Sequence, residues 1–350
     1  MELKFAFIGF GNVARAFARI LRDRRLRLAE EHGLSWTTTA IATGGHGCVL
    51  SQSAIDLDEA EAIVERGGML HDLSGASAAS DSFEVIENCD ADIVFETTPL
   101  NPIDGEPAAT YIRRALGRGM NVVTANKGPV AFAYRELRML ARERGVRFRF
   151  EGTVMDGAPV FNMVEYCLPA ARTLSFRGVL NSTTNMILTG MESGHSFDES
   201  LAEARRLGIA EADADYDIDG WDAAVKAVAL ANVLMNADAR PSDVDRDGIR
   251  DITNEDLRSA AREGNAVRLV ARAAMSGDKL KLSVAPELVP LDSPMGCARG
   301  ASSVLVIETD VMGELTIFEK DPGIDQTAYA LVSDMLRIHE DLIARRSRAS

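Results

Sequence analysis

The feature that most narrows the fold is the run Gly9-Phe10-Gly11-Asn12-Val13-Ala14. It follows an apolar stretch at residues 3–8 and opens a segment with apolar residues at helical spacing. Strand, glycine turn and helix in that order begin a βαβ unit. The G-x-G-x-x-A pattern is a version of the dinucleotide-binding fingerprint. Its glycines let the main chain turn tightly and approach a pyrophosphate at the positive end of the helix. Gly9, Gly11, Asn12 and Val13 are therefore candidate cofactor-binding residues; the alternative is a tight turn with no ligand.

The same fingerprint expects an acid about 20 positions on, where it would take a ribose 2′-hydroxyl. Here the second strand ends Ile41-Ala42-Thr43-Gly44-Gly45-His46, with neither Asp nor Glu. The missing acid leaves room for a 2′-phosphate and leans mildly to NADP over NAD. No Arg stands there to clamp the phosphate, so the preference should be modest or dual.

Strand and helix alternate through the first third. Strands are expected at residues 3–8, 36–43, 91–96, 121–124 and 146–150, and helices at 13–28, 107–116 and 134–144. That alternation argues for a parallel, doubly wound sheet. The pattern changes near residue 151. A strand at 173–180 precedes helices at 184–191, 197–207 and 220–234. Residues 267–274 and 279–285 then flank Ser276-Gly277-Asp278 as a β-hairpin. Two more strands are expected at 302–308 and 314–318, and a long helix at 325–344 before a frayed end. The fold class is thus α/β, with a Rossmann-type nucleotide-binding domain at residues 1–150, a second α+β domain at 151–324 and a terminal helix at 325–350. The second domain is expected to serve as substrate and dimerisation domain, and the helix to pack back on the first.

Acidic residues outnumber basic ones 53 to 38 over 350 residues, a formal net charge of −15. A chain this acidic, without a basic block, is a poor partner for nucleic acid or an anionic membrane. No stretch reaches the roughly 18–20 apolar residues of a membrane helix. The first residues read as a strand running into a glycine turn rather than a signal peptide. Cys48, Cys89, Cys167 and Cys297 form no CxxC pair, which fits a reduced, cytoplasmic setting.

Lysine is scarce: the chain has six, at 4, 127, 226, 279, 281 and 320. Lys226 enters an apolar helix with Asp222 one turn earlier, on the same face. Such a lysine is a candidate acid/base group, its pKa lowered by burial and raised by the carboxylate. Spacing alone favours the plainer alternative, a surface ion pair beside a solvated acidic loop. Lys127 lies just beyond an apolar strand, in Thr124-Ala125-Asn126-Lys127-Gly128-Pro129, where the ligand crevice of an open α/β sheet opens. A solvated loop lysine is the equal alternative.

Taken together, the motifs resemble the homoserine dehydrogenases of the short type. They are GFGNVA, ETTP at 96–99, TANKGP at 124–129, EGTVMDGAP at 151–159, GVLNSTTNMIL at 178–188 and LGIAEADADYDIDGWDAAVK at 207–226. The resemblance runs over nearly the whole length. It implies NAD(P)-dependent interconversion of L-homoserine and L-aspartate 4-semialdehyde, in threonine, methionine and isoleucine biosynthesis, by a homodimer. It implies that Lys226 handles the proton on the substrate oxygen and that Lys127 lies between cofactor and substrate. The substrate set is Glu211, Asp217, Asp222 and Thr183. Thr98 would lie near the nicotinamide, and Gly208 and Gly323 would line the cofactor. Glu151, Val154, Asp156 and Ala158 would surround a sodium ion, largely through carbonyls. Ile209 stands where many relatives have tyrosine, and Met155-Asp156 replaces small residues, leaving open whether Asp156 adds a ligand or turns to solvent. Neither an aspartokinase domain nor a C-terminal regulatory domain is recognisable, which would make any threonine inhibition weak and competitive.

Overall fold

The computed structural model describes residues 1–277 and 279–349. The chain divides into two compact units, one of Met1–Pro159 with the segment from Gly323 onward, the other of Val160–Pro322.

The first unit is built on a seven-stranded sheet: β1 (Glu2–Ile8), β2 (Ser35–Ala42), β3 (Cys48–Leu50), β4 (Ser77–Ala79), β5 (Ile93–Glu96), β6 (Asn121–Thr124) and β7 (Phe148–Arg149). The order is β4-β3-β2-β1-β5-β6-β7. β1 pairs in parallel with β2 on one side and β5 on the other, so the winding reverses at β1. In an open α/β sheet the ligand crevice lies at that reversal, beyond the carboxyl ends of the strands. Phe5 and Phe7 project from β1 into a cluster with Phe17 and Phe95. The terminal helix Ile324–Ala349 completes this core with Ala328, Leu331, Val332, Met335 and Ile338.

Helices Leu57–Glu65 and Ser82–Asn88 were not expected, and four further features differ from the expectations. β3 and β4 add an antiparallel edge to the parallel sheet. The helix expected at 13–28 breaks at Arg24 into Asn12–Asp23 and Arg25–His32. Its buried stripe is Ala14, Ala16, Phe17, Ala18 and Leu21, and it stops before the second helix begins. The helix expected from 134 begins at Lys127, because Asn126 caps it by accepting the Gly128 N–H at 3.0 Å. Pro129 falls in the first turn, where the missing N–H costs no helical bond. The final helix continues through Ala349 rather than fraying after 344.

The second unit carries a six-stranded, mainly antiparallel sheet: β8 (Thr173–Val179), β9 (Asp245–Arg246), β10 (Asn265–Ser276), β11 (Lys279–Pro290), β12 (Ser303–Thr309) and β13 (Gly313–Glu319). The order is β13-β12-β8-β10-β11-β9. β10 and β11 form the expected hairpin, longer at both ends, though Asp278 of its turn lies outside the described residues. Helix Trp221–Leu234 packs on β10 and β11, and residues 222–225 and 227–232 are all buried. Helix Ser182–Glu192 starts directly beyond β8. The end of β8 and the start of both helices position the site in this unit.

Candidate active site

In the first unit the glycine turn lies at the end of β1. Gly9 has φ +91°, and a Cβ there would stand 2.7 Å from the Thr97 carbonyl carbon and 2.9 Å from the Thr98 nitrogen. Only glycine combines that conformation with so close an approach. The contact joins the turn to the residues after β5, and the Thr97 hydroxyl donates to the Gly9 carbonyl at 3.0 Å. Gly11 is the N-cap of helix Asn12–Asp23; it supplies no capping side chain, and the first turn holds no acid. A Cβ at Gly11 would meet nothing within 4 Å. A helix N-terminus with open space above it and no competing carboxylate is what a pyrophosphate needs. Asn12 is exposed, and its side-chain oxygen accepts at 2.8 Å from Arg15, whose guanidinium also lies 3.9 Å from the Glu65 carboxylate. Val13 is half-buried behind it. These residues fit a dinucleotide.

Thr98 is fixed from below by Glu96, a residue the sequence did not single out. The Glu96 carboxyl is fully buried at the end of β5. It accepts from the Thr98 N–H (2.8 Å), the Thr98 hydroxyl and the Thr124 hydroxyl (2.6 Å). Burial pushes its pKa up, against the lowering effect of those hydrogen bonds. The Asn126 amide donates to the Thr98 carbonyl at 3.1 Å and caps the helix that Lys127 opens. The carboxyl ends of β1, β5 and β6 thus bring Gly9, Thr98 and Lys127 to one edge of the sheet.

Residues 151–158 are irregular and lie against the terminal helix. The Glu151 N–H donates to buried Asp334 at 2.8 Å, and a Cβ on Gly157 would stand 2.3 Å from the Gln326 carbonyl oxygen. Asp156 has φ +43°. It is half-buried, and its carboxylate accepts from the Thr327 hydroxyl at 3.0 Å. Val154 and Ala158 are buried. Among the described residues no group of three or more His, Cys, Asp or Glu is placed to hold a metal. A cation here would rest on main-chain carbonyls. Gly323 begins the terminal segment, its N–H donating to Gln326 at 3.0 Å.

In the second unit the ion pair that spacing favoured at the surface is instead drawn inward, with Asp222 buried and Lys226 half-buried. Lys226 Nζ lies 3.3 Å from Asp222 Oδ2, with the two side chains 15% and 9% exposed. It also donates to the Leu180 carbonyl at 2.6 Å. Both groups are drawn inward because helix Trp221–Leu234 is buried on nearly every face. Asp217, on the short helix Asp215–Ile218, joins them through Asn181, whose amide donates to Asp217 (2.6 Å) and Asp222 (2.9 Å). Burial and then the Asp222 charge push the Asp217 pKa up, while hydrogen bonds from Asn181 and Thr183 and the Lys226 charge oppose the rise. The one Thr183 hydroxyl proton is shared between Asp217 and the Ile209 carbonyl, 3.2 Å away. Thr183, Asp217, Asp222 and Lys226 therefore share one site.

Glu211 does not join that network. Its side chain is exposed on the loop after helix Phe197–Arg206, and its carbonyl accepts from Arg205 at 3.3 Å. Gly208 turns that loop with φ +71°. Tyr216, unremarked in the sequence, buries a hydroxyl that finds no hydrogen-bond partner among the described residues. Burial and the Asp222 charge raise its pKa.

The first unit carries a glycine turn suited to a dinucleotide and the second a lysine flanked by carboxylates, and known proteins match both parts of the chain. The family model "Homoserine dehydrogenase, NAD binding domain" matches residues 9–151, and "Homoserine dehydrogenase" matches residues 159–336. A homoserine dehydrogenase of Methanocaldococcus jannaschii is 37% identical over 333 residues, 95% of this chain and 97% of that one. An NAD(+)-dependent homoserine dehydrogenase of Pseudomonas canavaninivorans is 35% identical over 340 residues, 97% of each chain. A hyperthermophilic archaeal homoserine dehydrogenase solved in complex with NADPH superposes with a TM-score of 0.82 at 29% identity, covering 97% of this chain and 98% of that one. Among the described residues no helix is long and apolar enough to cross a membrane. The chain belongs to the homoserine dehydrogenase family and is an NAD(P)-dependent oxidoreductase that interconverts L-homoserine and L-aspartate 4-semialdehyde.

Proposed function

We propose that Lys226 is the general acid/base of this reaction, with Asp222 orienting it. The observation that carries this is the Lys226–Asp222 pair, a half-buried lysine on a buried carboxylate, held on the Leu180 carbonyl. The bound nicotinamide supplies or accepts the hydride. The protein must then move one proton at the substrate oxygen, because an alkoxide or a protonated carbonyl is otherwise costly. An ammonium carries three donors. Holding it on a carbonyl and a carboxylate aims the group while leaving the chemistry of a proton donor in reduction and, once deprotonated, of a base in oxidation. Asp217 and Asp222, with Glu211 on the neighbouring loop, supply the negative charge that a substrate ammonium requires, and Thr183 adds a hydroxyl.

On the nucleotide side, Gly9, Gly11, Asn12 and Val13 hold the pyrophosphate, and Thr98 and Lys127 line the nicotinamide end. Gly208 and Gly323 enter as cofactor-lining positions on the resemblance. The strand-end loop Thr43–Gly47 has no acid to repel a 2′-phosphate, which supports a mild preference for NADP over NAD. A sodium ion on the carbonyls of Glu151, Val154 and Ala158, with Asp156 alongside, is supported by the irregular course of that segment. The resemblance also supports a homodimer, which sedimentation velocity would test. Four free cysteines, two of them exposed, fit a cytoplasmic setting.

The test is Lys226→Met, which keeps the apolar stem and removes the proton carrier. A loss of about 10²–10⁴ in kcat is expected, the size usual for a positioned acid/base, with little change in cofactor affinity. Lys127→Met should also be damaging, so the pH profile separates the two. The alkaline-side ionisation in homoserine oxidation should vanish without Lys226 and survive, displaced, without Lys127. Near-normal turnover and an unchanged profile in Lys226→Met would hand the role to Lys127.

A further inference from the structure

We propose that Asn181 is a positioning residue for the reaction, its side-chain amide holding Asp217 and Asp222 in one fixed arrangement beside Lys226. A primary amide has two N–H donors and an oxygen with two lone pairs. At Asn181 all four are occupied. Nδ2 donates to Asp217 Oδ1 at 2.6 Å and to Asp222 Oδ2 at 2.9 Å. Oδ1 accepts the Thr184 N–H at 2.8 Å and the Thr184 hydroxyl at 2.9 Å. The Thr184 N–H can be met only by the oxygen, so the orientation of the amide is fixed and both its hydrogens face the acids. Nothing on this side chain remains for the substrate, and its influence must pass through the two carboxylates.

The acids need such a clamp. Two carboxylates gathered in one buried place repel each other and disfavour ionisation together. One N–H given to each stabilises both anions and sets their separation. Its neighbour Leu180 supplies the carbonyl on which Lys226 Nζ rests. Two consecutive residues at the end of β8 thereby fix all three groups: the main chain of Leu180 holds the lysine, and the side chain of Asn181 holds its partner acid and the acid beyond. Asn181 is also the N-cap of helix Ser182–Glu192. The clamp is therefore tied to a helix start rather than to a mobile loop. The groups facing Asp217 are Asp222, Lys226, Asn181 and Thr183, and Tyr216 faces both acids and Arg246.

This inference rests on Lys226 being the acid/base, and its test separates the two ideas. Asn181→Asp keeps an oxygen as good at capping as that of Asn and removes both N–H donors. Asn181→Ala removes the cap as well. In Asn181→Asp, kcat for homoserine oxidation should fall about tenfold or more, as expected when an acid/base group is displaced by part of an ångström. The acid limb of its kcat/KM profile should move to higher pH, because a third carboxyl joins the pair. Cofactor dissociation constants, read from NADPH fluorescence, should stay close to those of the parent. The melting temperature of Asn181→Asp should fall, because a third buried carboxyl faces the other two, whereas Asn181→Ser, which adds no charge, should lower it less. If Asn181→Asp keeps kcat within about twofold with the same acid limb, the clamp is refuted. It is equally refuted if activity falls only in parallel with melting temperature, as in Asn181→Ala, and the profile does not move. If Asn181→Asp does not fold, Asn181→Ser carries the same measurement, keeping a capping oxygen with a single donor. A dead Lys226→Met beside a native-like Asn181→Asp overturns only this inference; an active Lys226→Met overturns the reading beneath it.

Discussion

Gly9 and Gly11 sit two residues apart in the same turn, yet their replacement by alanine should fail in different ways. At Gly9, with φ +91°, a Cβ would lie 2.7 Å from the Thr97 carbonyl carbon and 2.8 Å from its oxygen. The left-handed conformation costs an L-residue about 1–2 kcal/mol. Relieving the overlap means moving the main chain after β5, an overpacking penalty of about 1–3 kcal/mol. The two together give about 2–5 kcal/mol, or a melting temperature lower by roughly 4–20 °C for a unit of this size. Gly9→Ala should also weaken cofactor binding, because the displaced segment carries Thr98. Gly11 has φ −82° and nothing within 4 Å of its would-be Cβ. Gly11→Ala should therefore cost only the difference between glycine and alanine at an N-cap, about 0.5–1 kcal/mol. Its methyl group would stand in the space assigned to the pyrophosphate. Dissociation constants for NADH and NADPH should rise about tenfold or more, some 1.4 kcal/mol, with the melting temperature nearly unchanged. Scanning fluorimetry and NAD(P)H fluorescence titration measure both quantities on one sample. If Gly11→Ala binds either cofactor as the parent does, the space above the helix is not the pyrophosphate seat, and the argument for this site from the strand carboxyl ends and the helix N-terminus collapses.

Glu96 is buried with a raised pKa, so folding favours its protonated form. Its contribution to stability is complete below the ordinary glutamate value of about 4.3 and is lost as pH rises through the raised folded value. Glu96→Gln should therefore flatten the decline of stability toward alkaline pH, and parallel curves for the two proteins would show that Glu96 does not titrate in this way. The NADP-to-NAD ratio of kcat/KM should exceed one but stay within about tenfold, and a strong NAD preference would refute the argument from the missing strand-end acid. A crystal grown in sodium should hold an ion bounded by the carbonyls of Glu151, Val154 and Ala158; its absence there would end the cation proposal.

What the sequence disclosed and what it hid follow a physical division. The glycine turn was legible because its geometry is local: the residues that need a left-handed φ and an uncapped helix start are the residues in the motif. The three-residue strands β3 and β4 were not, since neither holds enough alternation to declare a period, and both exist only by pairing at the edge of β2. The helix that Lys127 opens was expected only from residue 134, although a capping Asn126 and a proline in the first turn both suit the earlier start. The Asp222–Lys226 pair exposes the limit most clearly. A separation of four places two side chains on one helical face and says nothing about whether that face meets water. The deciding signal was one step away, in Ala223–Asn232, where alanine, valine and leucine leave almost no polar face for solvent. Asn181 and Glu96 were hidden for a related reason. Each lay inside a quoted motif, but a side chain that works by holding other side chains acquires its meaning only from distances between residues 36, 41 and 28 positions apart. Groups that touch ligand can be found by residue type and motif, whereas groups that hold those groups in place become visible only when the chain has folded around them.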